Sequence, residues 1–229
     1  VIRAIIFDLD GTLVQTEALK AISYARAAKQ LKPELSEDAV VTRYDDMIGR
    51  SRNEVAEALV ERFGLDVTWQ ALIDIRMKIY DAMLADPKLV KQQEYPYATG
   101  LLRKVKGLGY PTGLCTMSYA PETAVVLHTL DIAQYLDVVV TRDQVSKPKP
   151  DPEIYHLAAS KLNVQPTECL VIEDSEPGVD AAVAAGTQCV VVPSDLTRDR
   201  VLAHAPLKGE VIVNDPADLD RTVSDLLGR

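Results

Sequence analysis

Residues 2–7, apolar except for Arg3 and rich in Ile, form a short run that stops at Asp8-Leu9-Asp10-Gly11. A run this brief, apolar on consecutive rather than alternate positions, fits a strand buried on both faces, as at the centre of a parallel sheet. Such a strand needs parallel neighbours on its edges and helices over its faces. It also places Asp8 and Asp10 at its C-terminal end, where open α/β sheets bind ligands.

The rest of the chain supplies these elements with an interruption. From about Thr16 to Ala85 no strand pattern appears. Apolar residues recur at helical spacing in Ala18-Leu19-Ile22-Ala25, in Val55-Ala56-Leu59-Val60-Phe63 and in Leu72-Ile75-Ile79-Met83. This predicts an all-helical block of about four helices, punctuated by Gly49 and Gly64, with Pro33 at a break or a helix start. Past Asp86-Pro87 and Tyr95-Pro96, strand and helix alternate. Helices are predicted over 101–108, 121–130, 152–162 and 178–185, and strands over 112–116, 136–140, 169–172 and 188–192. A last strand at 210–213 and a helix at 218–227 close the chain. The predicted fold class is α/β: a Rossmann-like parallel sheet with helices on both faces, carrying an inserted all-helical domain. The expected boundaries are 1–15 with 90–229 for the α/β core and 16–89 for the insert.

The chain has 229 residues, enough for one large domain or a domain with a smaller insert. Its formal net charge of -9 and pI near 4.9 argue against a nucleic-acid polymer or an anionic membrane as partner. No apolar run has the length of a membrane span. The opening run is too short for a signal peptide and lacks a small-residue cleavage site, so a cytoplasmic location is expected. The three cysteines, Cys115, Cys169 and Cys189, are odd in number and far apart, which excludes a disulfide framework or a Cys-rich zinc site. Cys115 and Cys169 fall in predicted strands and read as packing residues.

Four segments carry candidate chemistry. Asp8 and Asp10 are two carboxylates that a divalent cation would relieve of their mutual repulsion, and hard oxygen ligands favour Mg2+. Gly11 permits a tight turn, and Thr12 is placed to tie the loop to itself. Glu173-Asp174 end another apolar run, and a parallel sheet brings that strand end to the same edge as Asp8. Thr116 and Ser118 follow a third strand, with hydroxyls suited to phosphoryl oxygens, although Ser118 also fits a helix cap before Pro121-Glu122. Lys147, in Ser146-Lys147-Pro148, suits neutralisation of a transferring phosphoryl group, with Lys149 expected to point outward.

Taken in order, these segments resemble the haloacid dehalogenase superfamily, in the helical-capped phosphatase and beta-phosphoglucomutase branch. Asp8 to Thr12 match its Asp-x-Asp-Gly-Thr motif, Thr116 the strand-ending hydroxyl, Lys147-Pro148 the Lys-Pro motif and Glu173-Asp174 the acidic pair. The resemblance implies a small phosphorylated metabolite as substrate and Asp8 as nucleophile, forming an aspartyl-phosphate. It implies Asp10 as acid and then base, with Mg2+ held by Asp8, the Asp10 carbonyl and Asp174, and Glu173 acting through the metal's water shell. Asp10 argues against dehalogenation, whose leaving group needs no proton.

The resemblance also makes the helical insert a cap that selects the substrate, with Lys20, Arg50, Arg52, Arg76 and Lys78 as candidate contacts. Arg52, in Gly49-Arg50-Ser51-Arg52, matches a mutase arginine that binds a distal phosphate. Two departures favour hydrolysis over mutation: Gln15-Thr16 replaces a hinge carboxylate, and Lys20 stands where mutases carry His. A phosphonatase using Lys20 or Lys78 as a Schiff base and a non-catalytic phosphate-binding protein rank lower. A monomer or weak dimer is expected. Tyr97 follows Pro96 where relatives often have Gly.

Overall fold

The structure, a computed structural model, describes residues 1–48, 50–203 and 210–228. Gly49, expected to punctuate the helical block, lies outside the described residues. The chain divides into two compact units, Val1–Gln15 with Gln93–Arg229, and Thr16–Gln92.

The first unit is built on a six-stranded sheet of β1 (Ala4–Phe7), β2 (Thr112–Cys115), β3 (Val138–Val140), β4 (Cys169–Glu173), β5 (Gln188–Val191) and β6 (Val211–Ile212). The order is β3-β2-β1-β4-β5-β6, with every pairing parallel. β1 and β4 are buried at every residue, as central parallel strands must be, which explains their unbroken apolar runs. From β1 the chain builds outward through β2 and β3, then crosses back to β4. The reversal lies between β1 and β4, where α/β sheets open a binding crevice. In that register Phe7 sits between Leu114 and Ile172, so Asp8 leaves the sheet level with the last residues of β2 and β4.

The second unit contains α1 (Thr16–Leu31), α2 (Glu37–Asp45), α3 (Arg52–Phe63), α4 (Trp69–Leu84) and α5 (Pro87–Lys91), with no strand among its described residues. α1 packs on α2 and α4, and α3 packs on α4. The ends follow local chemistry. Ser51 and Glu54 form a capping box at the start of α3, Gly64 ends it at φ +57°, and Thr68 caps α4. Pro33 lies in the turn between α1 and α2. The insert ends later than 89. Asp86 caps α5 through the amides of Lys88 and Leu89, and Pro87 occupies its first turn, so this Asp-Pro begins a helix of the same unit.

The first unit continues with α6 (Pro96–Gly107), α7 (Ala120–Thr129), α8 (Glu153–Lys161), α9 (Glu176–Ala184), α10 (Arg198–Ala203) and α11 (Leu219–Leu226). Ala4 and Ile6 face a core completed by Ile154, Tyr155 and Ala158 of α8, Val179 and Ala182 of α9, and Val201 of α10. Ile5 and Phe7, alternating with them, are equally buried on the opposite face. α6 begins at Pro96, five residues before its predicted start, because Pro96 opens the helix. α10 was not predicted at all; six residues are too few to show a helical period. The three cysteines are free and buried.

Candidate active site

The site grows from the loop after β1. Asp8 continues the ladder, donating its N–H to the Ile172 carbonyl at 3.0 Å. The chain then folds back on itself: Leu13 and Val14 donate to the Leu9 carbonyl at 2.9 and 3.1 Å, and Gly11 donates to Val14 O at 2.8 Å. Gly11 adopts φ +95°, and a Cβ built there would lie 2.1 Å from Asp174 Oδ2. A side chain at position 11 is therefore excluded twice, by conformation and by the neighbouring carboxylate. The loop is tied by its backbone, not by Thr12, whose buried hydroxyl has no hydrogen-bond partner.

Asp8, Glu173 and Asp174 are all buried, with ligand atoms within 4.8 Å of one another. Burial raises the Asp8 carboxyl well above its ordinary range, reinforced by Glu173 and Asp10 and opposed by Lys149. Asp174 is raised the same way, by burial first and then by Glu173 and Asp8. Thr197 donates to Asp174 Oδ2 at 3.1 Å, while Asp174 Oδ1 is buried without a hydrogen-bond partner. An orphaned carboxylate oxygen beside two other acidic groups fits a divalent cation, whose charge would reverse the upward shifts.

The buried cation among these groups is Lys149. Its ammonium donates to Asp8 Oδ1 at 2.7 Å, Glu173 Oε1 at 2.6 Å and the Cys115 carbonyl at 3.1 Å. Burial opposes its charge, but the two carboxylates outweigh that and raise its pKa. This corrects the expectation for Lys147. The Lys147 side chain is 71% exposed, with its ammonium 3.4 Å from Asp151 Oδ2. Lys-Pro occurs twice in Lys147-Pro148-Lys149-Pro150. The first pair lies where the loop is fastened at the surface, and the second after it has turned inward.

Glu173 accepts five hydrogen bonds. Lys149 and Tyr155 donate to Oε1, and the Asp174 N–H, Ser175 N–H and Ser175 hydroxyl donate to Oε2. A Cβ at Gly178 would stand 1.9 Å from Oε1, so the start of α9 must be bare beside it. Tyr155 was absent from the predicted site, because its position in an apolar helix reads as core. Ser194 and Thr197, which support Asp174, had no sequence signal either.

Asp10 has a different setting. Thr116 Oγ1 donates to its Oδ2 at 3.0 Å and Ser118 Oγ at 2.7 Å, while the Ser118 N–H donates to Thr116 Oγ1 at 3.0 Å. The two hydroxyls predicted to bind phosphate are thus brought together on Asp10. Ser118 does not cap α7. The N-cap residue is Tyr119, and Asp143 Oδ1 accepts from the Ala120 N–H at 3.0 Å. Beside the loop, Tyr95 N–H donates to Leu13 O and Gln15 Nε2 to the Tyr95 hydroxyl. Tyr97 lies against the Tyr95 ring with centroids 5.2 Å apart. Burial, with Asp174 next, pushes the Tyr95 phenol up to about 12.

The other expected residues lie in the helical unit. Lys20 pairs with Glu17 Oε1 at 2.7 Å, and Glu17 Oε2 accepts from the Tyr44 hydroxyl. Arg52 begins α3, its carbonyl accepting from the Tyr24 hydroxyl at 3.2 Å. Arg76 is a buried structural cation, donating to Ser23 Oγ and lying over the Tyr80 ring, while Arg50 and Lys78 are exposed.

A parallel sheet with acidic groups at its switch point, one carboxylate paired to a buried lysine and a second bound by two hydroxyls, is an arrangement suited to phosphoryl transfer. A family model for haloacid dehalogenase-like hydrolases matches residues 2–186, and the chain belongs to that family, in the helical-capped, beta-phosphoglucomutase-like branch, as an enzyme of the phosphatase type. A phosphorylated carbohydrates phosphatase of Thermotoga maritima is 30% identical over 98% of this chain and 100% of its own. A phosphoglycolate phosphatase of Shigella dysenteriae serotype 1 is 31% identical over 99% of this chain and 91% of its own. The crystal structure of beta-phosphoglucomutase from Clostridium difficile shares the fold, with a TM-score of 0.78 over all of both chains at 22% identity.

Proposed function

We propose that this protein hydrolyses a small-molecule phosphate monoester, with Mg2+, through an aspartyl-phosphate on Asp8. In the first half-reaction an Asp8 carboxylate oxygen attacks phosphorus, the bond to the leaving oxygen breaks, and that oxygen takes a proton from Asp10. In the second, water attacks the acyl phosphate and passes a proton to Asp10, releasing phosphate and restoring the Asp8 carboxylate. Lys149 offsets charge on the nucleophile and the transferring group, and Thr116 and Ser118, whose hydroxyls donate to Asp10 Oδ2 in the free protein, are proposed to turn them to phosphoryl oxygens when substrate binds. Asp8, Asp174 and the Asp10 carbonyl are the proposed Mg2+ ligands. Glu173, its oxygens engaged by five donors, would hold Lys149 in place and add negative charge beside a bound cation. The metal supplies positive charge that lets anionic substrate and carboxylate approach.

The observation that carries this reading is the contrast between the two aspartates after β1. Asp8 is buried against Lys149, and Asp10 is bound through one oxygen by two hydroxyls. Paired carboxylates in different environments suit different roles, nucleophile and proton carrier. Lys20 and Arg52 are proposed contacts to the distal part of the substrate, to be read as a rise in KM in Arg52→Ala.

The test is a panel of sugar phosphates, phosphoglycolate and nucleotides with Mg2+, scored by released phosphate. Turnover that vanishes in Asp8→Asn supports the reading. Conversion of beta-glucose 1-phosphate to glucose 6-phosphate without free phosphate would replace it with the mutase.

A further inference from the structure

Lys149 reaches Asp8 from a loop, and that loop is fastened by one carboxylate. Glu153, the first residue of α8, accepts the Ser146 N–H on Oε1 at 2.9 Å. On Oε2 it accepts the Ser146 hydroxyl at 2.7 Å and the Lys147 N–H at 2.8 Å. The anchor is itself fixed, since the Glu153 N–H donates to Asp151 Oδ1 at 3.0 Å. Two residues on, Tyr155 is fully buried with its hydroxyl on Glu173. One short helical turn therefore touches both ends of the lysine's setting: the loop that carries Lys149, and the carboxylate that receives its ammonium.

We propose that Glu153 is a positioning residue for Lys149, fixing the 146–149 loop so that the ammonium meets Asp8 and Glu173. The proposal rests on the reading in which Lys149 serves phosphoryl transfer from Asp8. The physical reason is entropy. A lysine stem has several rotatable bonds, and its ammonium occupies one place only if the backbone beneath it does. Within this loop the Lys149 N–H has only a sulfur acceptor, Met117 Sδ at 3.2 Å. The stronger restraint is the charge-assisted set on Glu153. Those bonds keep Glu153 ionised far below ordinary carboxylate range, its pKa brought down to about 2 by the Ser146 N–H first.

The experiment measures p-nitrophenyl phosphate hydrolysis at saturating Mg2+ in the parent, Glu153→Gln, Lys149→Met and the double variant. Glutamine keeps one acceptor but turns an amide donor toward donors. We expect Glu153→Gln to lower kcat on the order of tenfold to a hundredfold, as for a misplaced catalytic group, with KM within about twofold. We expect the double variant to be no slower than Lys149→Met, because a residue acting only through Lys149 has nothing left to position. Multiplying losses, or a parental rate in Glu153→Gln, would overturn the proposal. Lys149→Met at the parental rate would overturn the underlying role of Lys149 and the proposal with it, and is told apart by the single variant alone. If Lys149→Met does not fold, Glu153→Gln decides by rate and melting temperature together. Lost kcat with KM unchanged, in a protein folded at the assay temperature, supports the proposal, and unchanged kcat overturns it.

Discussion

Two lysines two residues apart have opposite fates, which makes them a sharp test at the scale of the residue. Lys147→Ala should leave turnover of p-nitrophenyl phosphate within about twofold, because an exposed lysine side chain contributes little. Lys149→Met should reduce kcat on the order of a hundredfold or more. It should also lower stability by about 3 kcal/mol in urea unfolding, since two buried carboxylates lose their cation. Gly11→Ala should cost at least about 1–2 kcal/mol from its positive φ alone. Its Cβ would also displace Asp174, so metal-dependent activity should fall further than stability. Most of the candidate site was legible in sequence because Asp8, Asp10, Thr116 and Asp174 follow apolar strands and Glu173 ends one, and a parallel sheet gathers such strand ends at one edge. The lysine was not, because a loop has no period to tell which side chain turns inward. Tyr155 was hidden for a related reason: a buried aromatic hydroxyl on an apolar helix face looks like core until its partner is seen.

The strands were read well and the short helices poorly, and the difference lies in how elements advertise themselves. β1 and β4 are buried runs throughout and β5 is one after Gln188, so composition alone marks them, whereas α5 and α10 have five and six residues and owe their existence to Asp86 capping or to packing by Val201. The junction of the 146–149 loop with α8 yields a prediction in pH. Glu153 has its pKa depressed from 4.5 to about 2, chiefly by the Ser146 N–H. A carboxylate whose folded pKa is depressed contributes stability above its unfolded pKa and loses it as pH falls through the folded value. The melting temperature of the parent should therefore exceed that of Glu153→Gln by a constant margin above about pH 5. That margin should close between about 4.5 and about 2. A margin that persisted unchanged to the acid end would mean the loop is held by something other than this ionised group. In the helical unit, Ser51→Ala should cost about 1 kcal/mol by loss of its capping box.

For the molecule as a whole, the concentration of buried acid at one sheet edge predicts a dependence on cation. Chelation should abolish turnover, and added Mg2+ should raise the melting temperature progressively, by about 1.4 kcal/mol of stability for each tenfold rise beyond saturation. Asp174→Asn should flatten that response, because it removes the charge of the carboxylate whose Oδ1 is buried without a hydrogen-bond partner. Apart from this chemistry, the helical insert leaves the sheet at Gln15 and returns at Gln93, and the Gln15 N–H donates to the Gln93 carbonyl at 2.8 Å. Exit and return are neighbours in space, so the number of residues between them sets no strand register. The closure entropy of such an excursion grows only with the logarithm of its length. The sheet thus imposes no length on what is threaded through this doorway. Residues 16–92 can therefore be lengthened, shortened or replaced without a change in the strand register behind the acidic edge, which makes the Gln15–Gln93 junction the natural seam for exchanging the insert.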